Sequence, residues 1–141
     1  MVTMTNINVN TLNHCSYSLN YHLVMVTKYR KRCLTEAMLD EFSQQARERC
    51  LAWGGEVREV NGEADHVHLQ IELPPSVALA DFVNALKTGT SRRLRNLFAE
   101  HLAQFYQKPT LWSRSYFIAS CGGAPLEVIK QYVQQQERPR H

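Results

Sequence analysis

Two histidines stand two residues apart in DHVHLQIELPP (65–75), and Tyr132 and Gln136 stand four apart near the C-terminus. On a strand, side chains alternate between faces. His66 and His68 then share one face with Gln70 and Glu72, while Val67, Leu69, Ile71 and Leu73 occupy the other. Parallel imidazoles at this spacing can reach one metal ion; the plainer reading is two half-exposed histidines on a polar sheet face. Tyr132 and Gln136 lie on one side of a helix, as residues four apart do. A tyrosine there is either a nucleophile or an ordinary residue of an amphipathic helix. A metal-binding pair, a tyrosine and nearby cations together make the parts of a phosphodiester-cleaving site. In such a site a metal polarises a phosphate oxygen and a hydroxyl attacks phosphorus.

The elements that must position these residues can be read from pattern. Residues 1–13 are polar and form an expected loose tail, leaving 14–141 as one domain. Cys15, Tyr17, Leu19, Tyr21, Leu23 and Met25 alternate with mostly polar neighbours, which predicts a long strand. Thr35 caps an expected helix to about Trp53, with Met38, Phe42, Ala46, Cys50 and Trp53 as its apolar stripe. Gly54 and Gly55 end it. Asn61-Gly62 predicts a hairpin turn between the strand EVREV and the histidine strand. Ser76 is the expected cap of a second helix carrying Leu79, Phe82 or Val83, Leu86, Thr90, Leu94 and Leu97, with Gly89 weakening its middle. LWSRSYFIAS (111–120) reads as a fourth strand, and a last helix spans about 125–138 after Gly122-Gly123. The order β-α-β-β-α-β-α gives an α+β fold: a ferredoxin-like (split βαβ) four-stranded antiparallel sheet with helices on one face, plus the tyrosine-bearing helix. The other face is expected to be free for a ligand or partner.

At 141 residues and 44% hydrophobic content the chain supports one core. It shows no signal-peptide pattern and no apolar run of membrane-spanning length, so a cytoplasmic protein without a membrane partner is expected. Four cysteines without a Cys-x-x-Cys pair speak against a zinc ribbon or redox motif. Net charge is only +3, but nine of the thirteen acids fall between Glu36 and Glu72. Two basic stretches, KYRKR (28–32) and KTGTSRRLR (87–95), are acid-free. Each is either a solvated face or part of a polyanion site.

The stretches YHLVMVTKYR (21–30), DHVHLQIELPP (65–75), FVNALKTGTSRRLR (82–95), LWSRSYFIAS (111–120) and VIKQYVQQQ (128–136) occur in an order and at spacings that resemble the one-tyrosine single-strand DNA transposases of minimal bacterial insertion sequences, in the HUH endonuclease superfamily. The resemblance spans nearly the whole chain. It implies that His66 and His68 bind a divalent metal, Mg²⁺ or Mn²⁺, and that Gln136 adds a third contact. Gln135 takes that place if the helix is wound differently. It implies that Tyr132 attacks the scissile phosphate, giving a 5′-phosphotyrosine link and a free 3′-OH. It further implies binding of single-stranded DNA with subterminal hairpins, and a homodimer whose first strands join two sheets and whose active sites are shared between subunits. Lys28, Arg30, Lys87, Arg92, Arg93 and Arg95 are the expected contacts to the DNA backbone. No Walker-type Gly-Lys-Ser/Thr motif is present, in keeping with an exchange of phosphodiesters that needs no ATP. Three other readings stand beside this one. The first is a related tyrosine protein acting on repeated extragenic palindromes. The second is a non-catalytic RNA- or single-strand-DNA-binding module, which needs aromatics such as Tyr17 and Tyr21 on the open sheet face. The third is a metal-dependent hydrolase using water.

Overall fold

A computed structural model of the chain describes residues 10–12, 15–17, 19–121 and 133–134. Within them run strands β1 (Asn10–Leu12), β2 (Cys15–Tyr17) and β3 (Asn20–Thr27), then helix α1 (Glu36–Ala52). Strands β4 (Glu56–Glu63) and β5 (His66–Glu72) follow, then helices α2 (Leu79–Leu97) and α3 (Ala99–Leu102) and strand β6 (Trp112–Ser120). The main sheet has the order β4-β5-β3-β6, antiparallel at every junction. This is the α+β, ferredoxin-like arrangement expected from the element order. The last helix expected over about 125–138, and the glycines before it, fall outside the described residues except for 133–134, which are helical.

Sequence alternation on β3 and β5 decides which side of the sheet the helices cover. Leu23 and Met25 face the same side as Val67, Leu69 and Ile71, and all five are essentially inaccessible to water. Against them α1 lays Met38, Phe42, Ala46 and Cys50, and α2 lays Phe82, Val83, Leu86 and Leu94. Full burial of each such side chain is worth about 1.5–3 kcal/mol, so this layer fixes the register of β5. Thr35 caps α1 as expected, its hydroxyl accepting from the Met38 amide at 3.2 Å.

Several local expectations are corrected. The stretch 15–26 is not one strand: β2 pairs with β1 as a separate ribbon, so residues 10–12, placed in the tail by their polarity, are paired. The hairpin between β4 and β5 turns at Ala64 and Asp65, with Glu63 opposite His66, rather than at Asn61-Gly62. Gly62 lies within β4, where a Cβ would press on Leu39 and Val67. Helix α2 begins at Leu79 after Ala78, not after Ser76, and it runs unbroken through Gly89. The Arg49 side chain of α1 lies over Gly89, where a Cβ would require its guanidinium to move aside. Leu97 and Trp53, assigned to apolar stripes, sit at the rim, Leu97 being 49% exposed.

The second face of the sheet is not bare. Val24 and Val26 on β3 and Glu72 on β5 project there and are nearly inaccessible. β3 is also paired along both sides, with β5 and with β6, so it has no edge with which to join a partner's sheet. Among the described residues the edges of this sheet are β4 and β6.

Candidate active site

β5 presents His66 and His68 on the face away from α1 and α2, as strand alternation requires. Their rings lie nearly parallel, 21° apart in orientation, with centroids separated by 6.1 Å. Asp65, at the hairpin turn, orients the first ring. His66 Nδ1 and Asp65 Oδ1 are 2.8 Å apart, and both residues are buried. Burial by itself would raise the Asp65 pKa, but hydrogen bonds from His66 and Arg30 and the Arg30 charge outweigh it and hold the carboxyl below its ordinary range. An ionised carboxylate only accepts, so Nδ1 donates to Asp65 and leaves Nε2 as the ring atom that could ligate a metal. His68 is exposed at its rim, yet the sheet beneath it removes water from one side. That burial, and then the neighbouring His66, lower its pKa and favour the neutral, ligating form. A pair so placed fits a divalent ion with nitrogen contacts. Among the described residues no third His, Cys, Asp or Glu completes a ligand set with it. Gln136 and Gln135, the expected third contacts, lie outside those residues, as does Tyr132.

The basic turn Lys28–Arg30 supports this corner from below. Tyr29 and Arg30 hold positive φ, 60° and 54°, a conformation that costs L residues about 1 kcal/mol or more each. Surrounding bonds impose it. Thr27 Oγ1 donates to the Lys31 carbonyl at 2.7 Å, the Thr27 amide donates to the Asp65 carbonyl at 3.0 Å, and Tyr106 Oη donates to the Lys28 carbonyl at 2.7 Å. The turn thereby aims Arg30 inward. Its Nη2 and Nε lie 3.0 and 3.1 Å from Asp65 Oδ2, and its Nη1 donates to the carbonyl of Val133, the residue after Tyr132. Arg30 was expected at the DNA backbone; its side chain is 6% exposed and its donors are taken by Asp65 and Val133. Asp65 was missed as a functional residue, although an acid directly before a histidine pair is the available sequence signal.

The remaining expected contacts separate. Lys28 is half-buried with its ammonium 5.5 Å from the Tyr29 ring. Arg93 pairs with Glu41 of α1 at 3.0 Å. Lys87, Arg92 and Arg95 have no carboxylate within ion-pair distance among the described residues, and Lys87 and Arg95 flank one hollow. Tyr21 packs on the helix side of the sheet with the core, so it is not an open-face stacking platform; the Tyr17 side chain is outside the described residues.

A ferredoxin-like sheet with a carboxylate-oriented histidine pair at a hairpin defines a class of small α+β proteins with a candidate metal corner. Comparison with known proteins fixes the family. The "Transposase IS200 like" family model matches residues 15–136, and the chain belongs to that family. The chain is 32% identical over 120 residues to the ISDra2 transposase TnpA of Deinococcus radiodurans, covering 85% of each. It is 26% identical over 126 residues to the transposase for insertion sequence element IS200 of Salmonella typhimurium, covering 89% of this chain and 82% of that one. A crystal structure of a candidate transposase from Deinococcus radiodurans superposes with a TM-score of 0.81 at 30% identity, covering 92% of this chain and 98% of the other. The structure of a REP-associated tyrosine transposase bound to a REP hairpin shares the fold, with a TM-score of 0.55 at 9% identity over 83% of this chain and 61% of that one. Among the described residues no helix is long and apolar enough to cross a membrane.

Proposed function

We propose that this transposase cleaves and rejoins single-stranded DNA at insertion-sequence ends through a 5′-phosphotyrosine intermediate on Tyr132. The observation that carries the reading is the pair of parallel imidazoles, with His66 tied through Nδ1 to the Asp65 carboxylate. His66 and His68, with Gln136, would hold Mg²⁺ or Mn²⁺. Bound there, the ion would supply Lewis-acid polarisation of a phosphate oxygen. The chain's own residues do the rest. Asp65 fixes the tautomer of His66, and Arg30 holds Asp65 in place. The Tyr132 hydroxyl, which ionises near pH 10 in isolation, forms a bond to phosphorus as the 3′ oxygen leaves with the proton balance met by solvent. Attack by a 3′-OH on the phosphotyrosine bond reverses the step and joins new ends. One ester is exchanged for another, so no nucleotide hydrolysis is needed.

The substrate in this reading carries hairpins near the element ends, and the enzyme works as a homodimer in the cytoplasm. A shared sheet would use β4 or β6, since β3 is internal. Insertion-sequence ends are favoured over extragenic palindromes because the sequence relatives at 26–32% identity are insertion-sequence transposases, whereas likeness to the REP-associated protein is one of fold.

The test is incubation of the protein with hairpin-containing single-stranded DNA and Mn²⁺, followed by a denaturing protein gel. A shifted protein–DNA band that vanishes in Tyr132→Phe is expected. Cleavage that persists in Tyr132→Phe with no adduct would replace this reading with hydrolysis by water.

A further inference from the structure

Helix α2 and the segment joining α3 to β6 enclose two adjoining hollows of about 260 and 230 Å³. They share Arg95, Pro109 and Thr110, so they form one trough. No acid lines either hollow. The cations do: Lys87, Arg95 and Arg114 in the first, Arg95 and Lys108 in the second. Outside the trough four arginines pair with carboxylates, Arg30 and Arg32 with Asp65, Arg58 with Glu72 and Glu56, and Arg93 with Glu41, while Arg47 donates to the Val57 carbonyl. In the trough like charges are instead set together. Lys87 Nζ donates to the Arg114 carbonyl at 2.9 Å and lies 5.5 Å from the Tyr116 ring centroid. Burial, and then the Arg114 charge, lower the Lys87 pKa, so the chain keeps this cation where it is disfavoured. Arg95 is held by its Nε donating to Ser91 Oγ at 3.1 Å.

Spacing shows what such a trough suits. Lys87, Ser91 and Arg95 follow each other at four-residue steps on one side of α2, so the outer two stand about 12 Å apart along the helix. This length is more than three times the ~3.4 Å per-strand phosphate spacing along a duplex axis, so it also spans more than one phosphate of a more extended single strand. Hydroxyls of Ser91, Thr110 and Ser113 stand among the cations of the first hollow, and the Gln107 amide lines the second. Tyr106 lines the second hollow and donates to the Lys28 carbonyl, at the base of the turn that carries Arg30 to Asp65. One end of the trough therefore abuts the support of the histidine pair.

We propose that this acid-free trough binds the sugar–phosphate backbone of the DNA strand that is cleaved, with Arg95 and Arg114 as its principal contacts. The inference rests on the proposed function and adds to it the path of the substrate. Contacts of this kind position a strand without reading its sequence.

The test is fluorescence anisotropy of the full-length protein with a fluorescein-labelled, unstructured oligodeoxynucleotide over a salt series. Arg95→Ala and Arg114→Ala are each expected to weaken binding by about three- to tenfold and to reduce the slope of log K against log salt by about 0.7. Arg95→Lys should retain most of the affinity, and Arg93→Ala all of it. Thermal melts followed by circular dichroism establish that the variants are folded, and Arg114, exposed on β6, keeps the test valid should Arg95→Ala be unstable. Wild-type affinity and slope in folded Arg95→Ala and Arg114→Ala would overturn the proposal, as would a loss in Arg93→Ala equal to theirs. The two readings fail separately. A normal Tyr132 adduct with unaffected trough variants removes the trough alone, while weakened binding by those variants from a wild type that forms no adduct removes the tyrosine chemistry alone.

Discussion

Arg30 and Arg95 belong to basic runs that look alike in the sequence, 28–32 and 87–95, each without an acid of its own. In the first run the fold brings Asp65 to Arg30 from thirty-five residues away, and the guanidinium is buried against that carboxylate. In the second the fold brings Arg114 and Lys108, and the charges face a hollow. The difference teaches that local composition sets how much charge a segment carries, while sheet register and loop return decide whether it is spent on structure or left for a ligand. In this protein Arg30 of the first run builds the histidine corner, while Lys87 and Arg95 of the second line the hollow.

The sharpest way to separate the two regions is His68→Ala. It removes one imidazole of the pair and leaves the trough untouched. Cleavage should fall by at least about 100-fold, given that even outer-shell losses at metal sites cost 10–100-fold. Anisotropy with labelled DNA should change little. A loss of binding as severe as the loss of cleavage would merge the two regions into one DNA-contacting surface.

Arg30→Ala should act in the opposite sense, on the fold before the ligand. Removing one partner of a buried pair leaves the other charge uncompensated and costs about 3–5 kcal/mol. At this chain length that corresponds to a fall of roughly 10–17 °C in melting temperature. Arg95→Ala, with no carboxylate partner to strand, should melt within about 2 °C of wild type. Equal melting of the two variants would mean that Arg30 is not the strut its geometry describes.

How much of this was legible in the sequence follows the range of the interactions involved. The histidine strand, its two faces, the Thr35 cap and the α1 stripe depend on neighbours within a few residues, and pattern reaches that far. Asn61-Gly62 misled because a local turn preference yields to packing: Leu39 and Val67 close on Gly62, and the chain turns at Ala64 and Asp65 instead. Gly89 misled because one glycine does not break a helix packed as α2 is; the Arg49 side chain of α1 lies over it. Asp65 and Arg30 could not be paired from sequence because nothing local joins them; the contact exists because β3 and β5 are neighbours and Thr27 binds the Asp65 backbone. The sheet order also excludes β3 as a sheet-joining edge, which element order by itself leaves open. Tyr132 and Gln136 stay where sequence and family resemblance put them, as proposals.

A smaller effect concerns Lys87. Its folded-state pKa is depressed, so it loses its charge at a lower pH than an ordinary lysine as the solution is made alkaline. If Lys87 contributes to the trough, DNA affinity should weaken early on that alkaline limb. Arg114 is the cation that faces it, and the Tyr116 ring lies beside it. Lys87→Arg, whose guanidinium stays protonated, should flatten the limb. An identical pH profile in wild type and Lys87→Arg would assign the trough's pull to Arg95 and Arg114 without it.

The smallest expected effect is that of Arg93→Ala, and it discriminates because of where Arg93 sits. Arg93 and Arg95 are two residues apart, which on a helix turns them roughly 200° from each other. Arg95 thus falls in line with Ser91 and Lys87 along the trough, while Arg93 reaches back to Glu41 on α1. That pair is half exposed, with 47% of the Arg93 side chain accessible, and pairs of this kind are worth at most about 1 kcal/mol and less in salt. Melting of Arg93→Ala should therefore differ by only a few degrees in low salt and converge on wild type as salt rises. Its DNA affinity should match wild type, because the arginine removed was directed at a carboxylate and not at the hollow. Should Arg93→Ala weaken DNA binding as strongly as Arg95→Ala, the helix would be acting as an undivided basic rod, and the contrast between paired and unpaired arginines would lose its meaning on α2.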